Sequence, residues 1–144
     1  MRNKITKYLN HVIEHRGAGY FVLIDPDTRN EKELRKFVGK INRAGADGIL
    51  VGGSLLLGSS FSRTVKLVKE ESEVPVIIFP GSVKQLSPDA DAILYISLIS
   101  GRNPNYLFGE HVLAAPAIKK INLEPIPTGY MLFQCGRTTT AEYM

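Results

Sequence analysis

Asp25 and Ser54 stand at matching points of two short peptides, Leu23-Ile24-Asp25-Pro26-Asp27 and Ile49-Leu50-Val51-Gly52-Gly53-Ser54. Each follows an apolar run of strand length. A carboxylate and a hydroxyl delivered in this way can hold magnesium or meet a phosphate. Pro26 stops both ladder pairing and helix continuation, so Asp25 is expected to project from the carboxyl end of its strand. That end is where α/β enzymes keep their sites. Taken alone, Asp25 also fits a turn or a helix cap. Gly52 and Gly53 permit unusual backbone angles and close approach to a ligand, or simply a tight turn from strand into helix. Pro80-Gly81-Ser82 is, by itself, an ordinary turn signal.

The elements that would position these groups follow from periodicity. Ile5, Tyr8, Leu9, Val12 and Ile13 recur at helical spacing, which predicts a helix over 3–15 that stops before Gly17. Residues 20–24 read as a first strand. Asn30 can cap a second helix whose apolar stripe is Leu34, Phe37, Val38 and Ile41. Residues 48–51 read as a second strand, Phe61, Val65 and Val68 as a third helix, and 74–79 as a third strand closed by Pro80-Gly81. Residues 92–96 supply a fourth strand. A helical stretch over 106–120 leads to a fifth, 125–133, whose first half is expected to be irregular because of Pro127 and Gly129.

Short, almost wholly apolar strands separated by helices predict an α/β protein with a parallel sheet covered on both faces. An open doubly wound sheet and a barrel remain alternatives. Polar or glycine-rich groups follow several strands at the same end, and no Gly-x-Gly-x-x-Gly turn follows the first strand, which favours the barrel. A complete eight-stranded barrel needs about 250 residues. The chain has 144, with five predicted strands, so the expectation is a TIM-barrel-type parallel β/α fold, incomplete, forming one unit over 1–144.

Apolar content of 44% and charged content of 22% are ordinary for a globular protein. No apolar run reaches the roughly 20 residues of a membrane span, and no signal-peptide pattern opens the chain, so a cytoplasmic location is expected. The net charge of +4 is spread over helix faces and alternates with acids, without the aromatic-basic interleaving of single-strand binders, which argues against a nucleic-acid partner. Cys135 is the one cysteine and lacks a nucleophile signature. His11, His15 and His111 fall in helical contexts with no metal-ligand spacing, and read as surface or packing residues.

Six ordered blocks give the chain a family likeness: Leu23-Ile24-Asp25-Pro26-Asp27, Asp47-Gly48-Ile49-Leu50-Val51-Gly52-Gly53-Ser54, Pro75-Val76-Ile77-Ile78-Phe79-Pro80-Gly81-Ser82, Asp91-Ala92-Ile93-Leu94, Ser100-Gly101-Arg102-Asn103-Pro104 and Glu124-Pro125-Ile126-Pro127-Thr128-Gly129-Tyr130. It resembles the geranylgeranylglyceryl phosphate synthase family and its heptaprenylglyceryl phosphate synthase relatives. The resemblance implies a modified TIM barrel that joins sn-glycerol 1-phosphate to geranylgeranyl diphosphate with magnesium, making the first ether bond of archaeal-type lipids. It implies Asp25 and Ser54 as metal-binding residues, with Asp27 outside the metal site. Gly52, Gly53, Gly81 and Ser82 would offer amides to phosphate. Tyr106, with Leu107, would line the prenyl channel, and Tyr130 would stand near the glycerol phosphate. No catalytic acid or base is assigned. Homo-oligomers and peripheral membrane contact are implied as well.

After Tyr130 the family pattern reads on toward Glu-Pro-Gly, whereas this chain has Gln134-Cys135-Gly136. The later glycine-rich segments that supply most of the family's glycerol phosphate pocket have no counterpart. An alternative is therefore an inactive partial domain that binds pyrophosphate or needs a partner chain to cover its sheet edges. Another phosphate-handling barrel, an isomerase or aldolase, comes last, because no well-placed acid-base residue supports it.

Overall fold

The computed structural model describes residues 3–28, 30–53 and 61–133. Ser54 and Cys135 lie outside them. The elements run α1 (Lys4–Arg16), β1 (Phe21–Ile24), α2 (Glu31–Arg43), β2 (Gly48–Val51), α3 (Phe61–Glu71), β3 (Val76–Ile78) and β4 (Ala92–Leu98), then a π-helical turn (Asn105–Gly109), α4 (Glu110–Lys120) and β5 (Glu124–Tyr130).

All five strands are parallel and lie in the order β1-β2-β3-β4-β5. A doubly wound sheet reverses its order at a switch point; here each strand is added on the same side of the last, which is barrel order. The fold is therefore a TIM-barrel-type β/α arrangement of five strands with flanking helices.

Local sequence explains the helix ends. Asn30 accepts the Glu33 amide while the Glu33 carboxylate accepts the Asn30 amide, closing a capping box on α2. Gly17 ends α1 at φ +76°, its N–H bonded to the Ile13 carbonyl at 2.8 Å. The outer face of the sheet buries Ile24, Ile49, Val51, Val76 and Ile78 against Val38 of α2 and Val65 and Val68 of α3. The inner face packs Ile77 and Ala92 against Ile5 and Leu9 of α1.

Strand lengths are uneven, and the unevenness makes room. β3 is three residues long and pairs with β4 only at Ile77↔Ala92 and Ile78↔Ile93, although 74–79 reads as a strand in sequence. Pro75 and Pro80 flank it and supply no ladder donors. β4 continues to Leu98, paired throughout with β5. The link between β3 and β4, residues 79–91, contains no helix.

β5 departs from expectation in the other direction. It is a continuous strand, Glu124–Tyr130, rather than one irregular in its first half. The Ile99 amide bonds the Tyr130 carbonyl, so even-numbered residues of β5 turn their polar groups toward β4. Pro125 and Pro127 then face the side on which β5 has no neighbouring strand among the described residues, so their missing N–H groups break no bond with β4.

Buried or half-buried carboxylates staple the amino ends of the strands, opposite the predicted site. Asp47 accepts from Arg16 and, at 2.8 Å, from the Tyr20 amide. Asp91 accepts from Lys69 and the Val76 amide. Glu124 reaches further: its two oxygens take the amides of Ile5 and Thr6 at 3.0 and 2.8 Å, and the Thr6 hydroxyl at 2.8 Å. A carboxylate at the start of β5 thus satisfies the first turn of α1 and complements its dipole. Burial raises the Glu124 carboxyl, but the Ile5 and Thr6 amides, the Thr6 hydroxyl and the Lys4 amide outweigh it and hold the group below the ordinary carboxylate range. A depressed carboxyl stabilises the fold above its unfolded-state value, and the contribution is lost as pH falls through the folded value. Glu124→Gln is expected to cost about 1–2 kcal/mol near pH 7. Thermal melts of both proteins from pH 7 to pH 3 would check this; the gap between them should shrink in acid.

Candidate functional site

The carboxyl ends of the strands converge on one cavity of about 400 Å³. Asp25 follows β1, Gly52 and Gly53 follow β2, Gly81 and Ser82 follow β3, Tyr106 comes from the π-helical turn and Tyr130 ends β5, and all seven line it. Of the eight residues singled out in sequence, only Ser54 is not placed.

Asp25 is both the turn residue and the projecting carboxylate that the sequence offered as alternatives. Its backbone carbonyl accepts the Thr28 hydroxyl at 3.0 Å, and its Oδ1 accepts the Asp27 amide at 3.0 Å. The side chain is exposed, and among the described residues it has no ion-pair partner. Its Oδ2 faces Gly53, where a Cβ would come within 3.3 Å.

The two glycines act by closeness. A Cβ on Gly52 would sit 1.8 Å from the Phe79 carbonyl oxygen, so β2 and β3 meet here only because that atom is missing. Among the described glycines, positive φ occurs at Gly17 and Gly45, not at Gly52 or Gly53. The expectation of unusual backbone angles is thus corrected: tight strand packing, not a left-handed turn, requires glycine here.

Sequence reasoning missed several residues that shape the cavity. Glu110, the first residue of α4, accepts the Val83 amide at 2.9 Å and so ties the Gly81-Ser82 loop to the helix. His111 lines the cavity; its ring stacks on Tyr95 at 4.0 Å and 16°, and its Nε2 donates to the Ile96 carbonyl at 2.6 Å. The Tyr95 hydroxyl donates in return to the His111 carbonyl at 2.8 Å, and burial pushes this phenol up from its ordinary value. Ser97 donates to the Leu107 carbonyl at 3.1 Å. Three successive β4 residues therefore hold the π-helical turn and α4, on the stretch of β4 that β3 leaves unpaired. A helical histidine read as packing does pack, but against the cavity. Spacing gives no sign of these contacts, which join residues 10 to 27 positions apart.

The cavity lining is of two kinds. At the strand tips stand the Asp25 carboxylate and the glycine-bearing loops. Most of the remaining lining is apolar, Leu94, Ile96 and Leu98 from β4 with Leu86, Ala114 and Ile118 among it. No group of three or more His, Cys, Asp or Glu gathers among the described residues, so a cation here would draw most of its ligands from a bound phosphate and water, as magnesium commonly does. Phe79 and Tyr130 meet edge to face at 5.5 Å across the tips. Among the described residues, no helix is long and apolar enough to cross a membrane.

Comparison with known proteins adds three observations. Residues 10–142 match the PcrB family. The chain is 44% identical over 147 residues to a geranylgeranylglyceryl phosphate synthase of Chitinophaga pinensis, an alignment covering all of this chain and 57% of the relative. Two solved structures superpose on it at 32% identity: wild-type GGGPS from Thermoplasma volcanium, with TM-score 0.85 over 93% of this chain and 54% of that one, and (S)-3-O-geranylgeranylglyceryl phosphate synthase from Thermoplasma acidophilum in complex with substrate sn-glycerol-1-phosphate, with TM-score 0.81 over 92% and 53%. The chain spans about half the length of the relatives it matches.

Proposed function

Because the chain belongs to the PcrB family, we propose that it serves transfer of a prenyl group from geranylgeranyl diphosphate, or a related prenyl diphosphate, to sn-glycerol 1-phosphate, with magnesium. The observation that carries this reading is the mixed lining of one cavity, polar groups from the strand tips beside apolar side chains from β4 and α4. A prenyl diphosphate has the same two kinds of surface. Glycerol phosphate enters from the relatives, one of which was solved with it.

Asp25 and Ser54 are the residues proposed to hold magnesium. The fit rests on Asp25, whose second oxygen borders a space that any side chain at position 53 would narrow. Bound there, the ion would offset negative charge building on the departing diphosphate, more in the transition state than in the ground state. The chain's own residues orient and enclose: the amides of Gly81 and Ser82 face the phosphates, and Tyr106 with the apolar lining keeps water from the allylic carbon. Against the sequence expectation, the amides of Gly52 and Gly53 are already bonded, to the Ile24 carbonyl at 3.1 Å and to Oε1 of Gln85 at 3.4 Å. Tyr130 stands at the strand tips, on the side toward the acceptor. The work is proposed to take place in the cytoplasm, with peripheral membrane contact.

A second reading, a pyrophosphate-binding unit that acts only against a partner chain, is favoured by Leu23, 48% exposed on the inner sheet face. Calorimetry with geranylgeranyl diphosphate, with and without magnesium, followed by a transfer assay with sn-glycerol 1-phosphate, separates the two. Binding with transfer supports the first, binding without transfer the second, and no magnesium-dependent binding defeats both. Tyr106→Ala, which removes a partly exposed ring from the cavity wall and leaves the core intact, is expected to weaken the prenyl diphosphate about tenfold and inorganic pyrophosphate less than about twofold.

A further inference from the structure

Gln85 is 1% exposed, yet it sits in the helix-free link between β3 and β4 and bears a full set of polar atoms. Its Nε2 donates to the Gly53 carbonyl at 2.7 Å, and its Oε1 accepts the Gly53 amide at 3.4 Å. Reversing the amide would set oxygen against oxygen, so the orientation follows from the bonds. A side-chain carboxamide has the donor and acceptor of a peptide group, and here it pairs as one.

The need for it follows from strand geometry. The Phe79 amide bonds the Val51 carbonyl, so Val51 turns its polar groups toward β3. Gly53, two residues on, turns the same way. There the ladder would need the Phe79 carbonyl and the Gly81 amide, but the chain turns out of the sheet at Pro80, and neither bond forms. Without a substitute, both polar groups of Gly53 would lack a strand partner beneath the loop, which is costly. Gln85 is delivered by a turn in which its own amide bonds the Ser82 carbonyl at 3.0 Å, so the loop that presents Gly81 and Ser82 also pins Gly53. Gly53 in turn faces Oδ2 of Asp25.

We propose that Gln85 is a positioning residue: standing in for an absent strand, it fixes the β2 tip against Asp25 and sets the geometry of the diphosphate end of the cavity. The positioning role rests on the reading of that end as a diphosphate site. The pin itself does not.

The test uses the whole chain, inorganic pyrophosphate with magnesium as the probe, and amide hydrogen exchange of Gly53 as a readout that needs no ligand. In Gln85→Leu, Gly53 is expected to exchange at least about tenfold faster while Ile49 in β2 is unchanged, and magnesium pyrophosphate to bind about tenfold more weakly. Gln85→Met keeps the length and volume without either polar atom, so it should release Gly53 and weaken the probe as Gln85→Leu does. If Gln85 merely filled space, Gln85→Met would exchange and bind as wild type. Wild-type exchange at Gly53 in either variant, or undiminished probe binding, would overturn the proposal. A wild-type chain that binds no magnesium pyrophosphate, with Gly53 still released in Gln85→Leu, would overturn the diphosphate reading and the positioning role while leaving the pin as a structural feature.

Discussion

Asp25→Ala is expected to weaken magnesium-dependent binding of a prenyl diphosphate at least about a hundredfold, since it removes the strand-tip carboxylate of the cavity that has no ion-pair partner among the described residues. The fold should hardly notice. The side chain is exposed, and it accepts the Asp27 amide two residues away in its own loop. A melting temperature within about 3 °C of wild type is expected. Binding titrated against magnesium separates this from a general loss: without the ion, wild type and variant should bind equally weakly. A variant that kept the full magnesium effect would remove Asp25 from the metal site.

Gly52→Ala should do the opposite, harming the fold first and the site as a consequence. The new Cβ would meet a backbone carbonyl at 1.8 Å, and no rotamer change can relieve a collision between two main chains. The tips of β2 and β3 would have to separate, with loss of the Phe79–Val51 bond and the packing around it. A cost of at least about 3 kcal/mol is expected, lowering the melting temperature by about 10 °C. Gly39→Ala gives the contrast. Gly39 lies inside α2, where a Cβ would be no closer than 3.6 Å to the end of the Arg43 side chain, and alanine there should stabilise by about 0.5–1 kcal/mol. If the two substitutions behaved alike in thermal melts, close approach would not be what Gly52 provides.

What could be read in advance depended on whether the signal was local. β2 and β3 are buried on both faces, and such strands appear as unbroken apolar runs in sequence. The capping box on α2 is visible from Asn30 and Glu33 alone. The helix-free link was not read, since helices were expected between the strands; Pro80, Gly81 and Pro88 account for it once seen, leaving no room for an apolar stripe between the third and fourth strands. Seven of the eight singled-out residues share the cavity because parallel strands put their carboxyl ends on one side, whatever the side chains are. Gln85, Glu110 and His111 were not legible. Each works through a bond to backbone far along the chain, at Gly53, Val83 and Ile96, and a lone polar residue carries no mark of such a partner. The continuity of β5 was hidden for a related reason: whether Pro125 and Pro127 break a strand depends on which edge they face, and only the pairing with β4 fixes that.

The most direct test is a crystal of this chain grown with manganese in place of magnesium and a non-reactive prenyl diphosphate analogue, examined by anomalous scattering. A manganese peak is expected at coordinating distance from Asp25, with the diphosphate against the Gly52-Gly53 and Gly81-Ser82 loops and the tail against the apolar lining beside Ile96 and Tyr106. A peak away from Asp25, or a tail lying outside the cavity, would contradict the proposed site.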